Sequence, residues 1–335
     1  MSDAAISHDH RGLRLLAKAL IPLALLVILL GGKTKSLEAG LTIAEGFILD
    51  WKPEWLTTAN ISAEYTHRIS AGFFGVMVLL FTLWAFIVER RRTVKLLAVA
   101  TLVGVLVQAI LGVIAVNNLA PARFSIPHAV LAQAVFVLTC CLACLTSRTW
   151  TSDLKPVQES HATSLRRLAV WLMIAILIQL LLGAALRHDD KGAALREGRG
   201  YIFMWHLVAH IAGAFFVLYR VLVLAVRVFH DHRQFRALLT PTRWITYLLA
   251  LQLILGTAAA ILKAAYSMDY DSANAPPAIR VFFATAHQVV GAVIFGLSGV
   301  VAAYSWRLVE PSPAATRSVP KSGTESGTAP LEAST

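Results

Sequence analysis

The chain has 335 residues, of which 57% are hydrophobic and 15% charged, with a mean hydropathy of +0.66 and a formal net charge of +11. Soluble domains carry about 45–50% apolar residues, so a soluble enzyme, a disordered chain and a secreted disulfide scaffold are excluded. The cysteines, Cys140, Cys141 and Cys144, lie in one apolar run and read as small packing residues rather than a disulfide framework.

Apolar runs fall at about 15–32, 62–88, 94–116, 126–146, 165–187, 201–226, 241–264 and 280–305. Each approaches or exceeds the ~20 residues a bilayer core requires, which predicts an all-α integral membrane protein of eight transmembrane helices. No A-x-A site follows the first run and seven more spans do, so it reads as a helix, not a cleaved signal. Loops then alternate between two sides. Nineteen of the 30 Lys and Arg fall on the side of the N-terminus, for example Arg90, Arg91, Arg92 and Lys95 after span 2. The opposite side is nearly neutral. This asymmetry predicts cytoplasmic termini and accounts for the net charge without nucleic acid.

The polar loop from about Ser147 to Ser164, which contains Pro156, divides the spans into two four-helix halves, 1–147 and 148–310. The tail 311–335 is rich in Pro, Ser, Thr, Ala and Gly and is expected to be disordered and cytoplasmic. An internal repeat supports the division. Gln108-Ala-Ile-Leu-Gly112, Gln179-Leu-Leu-Leu-Gly183 and Gln252-Leu-Ile-Leu-Gly256 recur at matching depth, and span 1 ends in Gly31-Gly32 without the Gln. Each precedes an outer loop and then a span bearing His near its outer end. The four hairpins therefore look like copies of one unit and the two bundles like pseudo-symmetric halves.

Of the eleven histidines, His8, His10, His161, His230 and His232 fall in cytoplasmic segments and are expected to be solvated, and His188 ends span 5. His67, His128, His206, His210 and His287 sit within even-numbered spans, within about two turns of the outer surface. Ionisable groups at membrane depth face the bundle interior. Two histidines per half on separate helices suit a bis-imidazole haem site, with zinc or copper as the competing reading. Alignment of His67-Arg-Ile-Ser-Ala71 with His210-Ile-Ala-Gly-Ala214 favours His210 over His206 as the span 6 ligand. His206 then lies one turn farther out, suited to a propionate or to orienting its neighbour.

Glu64 precedes His67 by three residues, on the same helix face. No carboxylate precedes His128, His210 or His287 at that spacing. The asymmetry predicts one reacting site, with Glu64 its catalytic group, and one electron-transfer site. An ion pair with Arg68 at the outer interface is the competing account of Glu64. Arg68 and Arg123 are candidates for haem propionates or for snorkelling to headgroups. Trp51, Trp55, Tyr65, Tyr201 and Trp205 are expected in an outer aromatic belt.

Over about 15–306 the chain resembles the heme A synthase family. Glu64-Tyr-Thr-His67-Arg68 is similar to the family's E-x-x-H-R. Ile126-Pro-His128, the segment Gln179 to Arg187-His188, Thr285-Ala-His287-Gln288 and the first outer loop, with Gly31-Gly32, Gly40-Leu41 and Trp51-Lys-Pro53, add to the resemblance. It implies a membrane oxidoreductase that converts a methyl group of haem O to a formyl group, giving haem A for terminal oxidases. It also implies a haem b cofactor between His210 and His287, and the substrate haem O between His67 and His128 with Glu64 beside the reacting methyl. The implied setting is a bacterial cytoplasmic membrane, with the lipid bilayer, an electron-transfer partner and the farnesyltransferase that makes haem O as partners. The first outer loop lacks the Cys pair of many bacterial members, and Ile211 stands where the family has Arg after the span 6 His. A di-haem b electron-transfer cytochrome and a non-catalytic haem-handling factor for cytochrome oxidase are the alternatives.

Overall fold

A computed structural model describes residues 10–37, 59–117, 122–159, 163–188, 200–265 and 277–311. The helices are α1 (Arg11–Ser36), α2 (Ala59–Val88), α3 (Arg92–Asn117), α4 (Ala122–Leu145), the single turn α5 (Arg148–Thr151), α6 (Leu165–His188), α7 (Gly200–Asp231), α8 (Arg236–Ala265) and α9 (Ala278–Leu308). The strands β1 (Val157–Glu159) and β2 (Val309–Pro311) complete the described elements. All helices but α5 are long and apolar enough to cross a membrane, eight in number among the described residues. Their 24–32 residues span roughly 36–48 Å at 1.5 Å per residue. The outward faces carry large apolar side chains such as Ile87, Phe215, Val226 and Ile254, which suits lipid as solvent.

Helix neighbours close into two rings. The first runs α1–α2–α3–α4 and back to α1, the second α6–α7–α8–α9 and back to α6. The rings meet where α4 and α1 pack on α9 and α4 packs on α6. α4 and α9 are accordingly the most enclosed helices, with 56% and 61% of their apolar windows buried. Glycines set that seam. A Cβ on Gly296 would lie 2.7 Å from Phe136 and 2.8 Å from the Cys140 sulfur, and one on Gly299 would lie 2.7 Å from Val137. Small residues permit such close helix approach, and Cys140 and Cys144 are buried in the seam as free thiols.

The segment between the rings is packed, not a bare linker. β1 pairs in parallel with β2, Val157 opposite Val309 and Glu159 opposite Pro311. The Arg307 guanidinium donates to the Ser152 carbonyl at 2.7 Å and stacks over Trp150. Glu159 is buried. It accepts from the Leu165 backbone N–H at 2.7 Å, holding an orphan donor at the start of α6, and pairs with Arg227 at 2.7 Å. His232 departs from its expected solvation. The turn after α7 folds it inward to 2% exposure, 3.6 Å from Glu159, because its backbone carbonyl closes the turn with the Phe235 N–H. His230 is exposed as expected, with 82% of its side chain accessible. His8, His161, the first outer loop with Trp51 and Trp55, and the tail from 312 lie outside the described residues, as does the Tyr201 side chain.

Candidate functional site

The repeat glycines, in the last turns of their helices, lie against imidazoles. A Cβ on Gly31 would lie 2.8 Å from Cε1 of His67, on Gly183 2.8 Å from that of His210, and on Gly256 2.7 Å from that of His287. The fourth pair is looser, with 3.4 Å from Gly112 to His128. Each hairpin thus packs one histidine of its second helix onto a bare stretch of its first. His210 occupies this position in α7, and His206 lies one turn toward the helix start.

In two of the four hairpins the carbonyl of the residue four before the glycine orients the ring. Nδ1 of His67 bonds the Val27 carbonyl at 3.1 Å, and Nδ1 of His287 bonds the Gln252 carbonyl at 3.1 Å. A histidine that donates Nδ1–H to a carbonyl presents its other nitrogen, Nε2, as the ligand. The glutamines add a second tie. Gln108 Nε2 donates to the His128 carbonyl at 2.9 Å, and Gln179 Nε2 to the His210 carbonyl at 2.8 Å. Among the described residues, Oε1 of all three glutamines is buried without a partner, so the repeat matches in this acceptor too. Val27 holds the equivalent place in the first hairpin, where the backbone carbonyl alone serves.

The histidines face each other in pairs within their own rings. His210 and His287 have ring centres 6.3 Å apart at an interplanar angle of 73°. A metal–imidazole bond is about 2.0 Å, so rings at this separation leave room for one metal ion between them, and His210 and His287 are the residues that would hold it. His67 and His128 are likewise within electrostatic range of each other. Among the described residues no three His, Cys, Asp or Glu side chains converge as a metal cage. A pair of imidazoles suits a metal whose remaining ligands come with it, as a haem macrocycle supplies.

Glu64 is buried, 3% exposed, and pairs with Arg68 at 2.5 Å across one helical turn. Arg123 is exposed and lies over the Phe124 ring at 5.1 Å. Trp205 is 68% exposed, as a belt residue should be, but Tyr65 is buried at 9%, because its position in the helix turns it toward the bundle beside Glu64.

From the sequence, Arg187 entered only as part of the resemblance, with no role of its own. It leaves α6 and reaches across the seam, donating to the Gly32 carbonyl at 2.8 Å, the Ser36 hydroxyl at 2.7 Å and the Ala284 carbonyl at 3.3 Å. Ser36 in turn contacts the Thr285 hydroxyl at 3.3 Å, and Gln288 packs on Gly32. Lys263 donates to the neighbouring Leu186 carbonyl at 3.0 Å. Lys35, Arg187 and Lys263 all act electrostatically on His188, which also feels His128, and Arg187 acts on His287. A cationic clasp thus lies between the two histidine pairs. An Arg followed by His at a span's outer end was its only sequence signal.

Two rings of bilayer-length helices, each with a facing histidine pair near one end, define a multi-pass membrane protein of paired four-helix bundles. The chain belongs to the COX15-CtaA family, described as cytochrome oxidase assembly protein, whose model matches residues 56–298. This is the heme A synthase family, and it places the protein in cytochrome oxidase assembly and heme A synthesis. The matched stretch contains all four paired histidines, Glu64, Arg68 and Arg187. No individual curated protein matches the chain.

Proposed function

We propose that the protein is a heme A synthase of a bacterial cytoplasmic membrane, with both termini cytoplasmic. In this reading the half 148–310 holds haem b between His210 and His287, and the half 1–147 receives haem O between His67 and His128. When bound, the haem groups would supply iron redox chemistry. A methyl group of haem O would be oxidised in place to a formyl group, taking its oxygen from water and giving up four electrons to the proposed electron-transfer partner and four protons. The observation that carries the reading is the placement of Glu64. Two histidine pairs share one construction, yet only the first has a buried carboxylate three residues before a ligand. The corresponding positions before His128, His210 and His287 are Ser125, Leu207 and Ala284.

Glu64 sits on the face of α2 that carries His67 and holds negative charge there, steadied by Arg68. Its carboxylate accepts a proton at the reacting carbon's oxygen and stabilises positive charge as it develops. Haem O, an electron-transfer partner and the farnesyltransferase that makes haem O are the proposed partners. Arg68, Arg123 and His206 remain the proposed propionate contacts, with the Arg68–Glu64 pair leaving Arg68 a shared task.

The di-haem b cytochrome is favoured by one observation, that the Arg68 ion pair accounts for Glu64 without chemistry. Haem extraction from membranes of cells that make haem O separates the readings. Wild-type protein should yield haem A, and Glu64→Gln should retain the haem b spectrum with haem A lowered ~10²–10⁴-fold. Haem b alone from the wild type, or wild-type haem A from Glu64→Gln, would overturn the assignment of Glu64.

A further inference from the structure

A cleft of about 510 Å³ opens at the end of the molecule that carries the start of α1. It is lined by Arg11, Arg14, Leu15 and Lys18 of α1, by Ser147, and by Arg148 and Thr149 of α5, with no acidic side chain in its lining among the described residues. Arg14 to Gly31 is seventeen residues of helix, or about 25 Å at 1.5 Å per residue. The cleft is therefore remote from the histidines and separate from the function proposed above.

The α1 residues fall at i, i+3, i+4 and i+7, which places them on one helix face. Arg14 is only 7% exposed, so one of the four cations is built into the wall. All four basic side chains border one cleft, and an anion seated there is attracted by each of them. Leu15 stands among these cations at 52% exposure, and the unbroken apolar run of α1 begins at Ala19. The cleft is thus at headgroup depth, with an apolar side chain where an acyl chain would leave a phosphate. Basic pockets between membrane helices recognise anionic lipid headgroups in this way.

We propose that the cleft between α1 and α5 binds the phosphate of an anionic phospholipid, held by Arg11, Arg14, Lys18 and Arg148 with its acyl chain over Leu15. A free phosphate offers the same anion but leaves Leu15 without a role.

The test uses the full-length protein, delipidated in neutral detergent and titrated with dioctanoyl phosphatidylglycerol, with dioctanoyl phosphatidylcholine and inorganic phosphate as further arms, read by native mass spectrometry. Phosphatidylglycerol should bind, and neither phosphatidylcholine nor phosphate at the same concentration should match or displace it. The double variant Arg11→Gln/Lys18→Gln removes two exposed cations without touching the buried Arg14. It should bind about 25-fold more weakly, at roughly fivefold per cation. Arg90→Gln/Arg92→Gln, on the same face outside the cleft, should bind as the wild type does. Equal binding of phosphatidylcholine, displacement by inorganic phosphate, wild-type affinity in the cleft variant or an equal loss in the control variant would each overturn the proposal.

Discussion

Gly256→Ala tests whether the repeat glycines exist to seat imidazoles. The added methyl would lie 2.7 Å from Cε1 and 3.1 Å from Nδ1 of His287, where ordinary contact begins at 3.4 Å. The ring must retreat by the difference, about 0.7 Å, or tilt away from the Gln252 carbonyl that orients it. A ligand bond of about 2.0 Å does not stretch by that amount. Overpacking of this kind costs about 1–3 kcal/mol, which is roughly 5- to 150-fold in haem affinity. Haem titration of the detergent-solubilised protein, with the reduced-minus-oxidised spectrum, reads the effect. Gly183→Ala, at 2.8 Å from His210, should behave in the same way. Gly31→Ala should lower haem A formation while sparing the haem of the other ring. Gly112→Ala is the internal control, since its methyl meets His128 at an ordinary 3.4 Å. Wild-type affinity in Gly256→Ala, or equal damage from Gly112→Ala and Gly31→Ala, refutes the reasoning.

Within α7, His210→Ala should abolish the b-type spectrum and His206→Ala should leave it, since His210 alone packs against Gly183; the reverse result would move the ligand one turn. Arg187→Gln strips donors from the Gly32 and Ala284 carbonyls and the Ser36 hydroxyl, a loss of about 1–3 kcal/mol. A lowered thermal midpoint in detergent is the expected readout, and an unchanged midpoint contradicts the clasp. Burial holds His232 below the ordinary imidazole pKa, against the opposing pull of Glu159 and Asp231. The unfolded chain therefore takes up this proton first, near pH 6.5, and the stability His232 contributes is present above that pH and lost below it. The thermal midpoint should fall between pH 7.5 and 5.5, and His232→Gln should flatten that fall. An identical pH profile for the variant counts against the buried site.

The spans were legible because a bilayer demands long apolar runs, and the helices extend the expected ranges by a few residues at most ends. The paired histidines were legible because imidazole at membrane depth is costly and their spacing repeats. The reason for Q-x-x-x-G was not. Gly183 reads as an ordinary packing glycine until the His210 ring is seen against it, and Gln179 gives no sign that it reaches the His210 carbonyl on the next helix. The β1–β2 pair escaped because three-residue strands carry no periodicity. Arg187 escaped because its acceptors come from α1 and α9, 97 to 155 residues away, and two are backbone carbonyls that leave no trace in side-chain identity. His232 looked solvated because it falls in a polar segment between two apolar runs, expected to be cytoplasmic.

Val27 shows what the repeat can spare. A peptide carbonyl is present whatever residue occupies a position, so the bond from His67 to Val27 does not depend on an amide side chain there. Ligand orientation is therefore insulated from drift at this site, whereas the volume beside the ring is not. The first hairpin could exchange an interhelical amide tie for apolar surface without loosening its imidazole. A duplicated unit built in this way can diverge in what it accommodates while keeping how it grips.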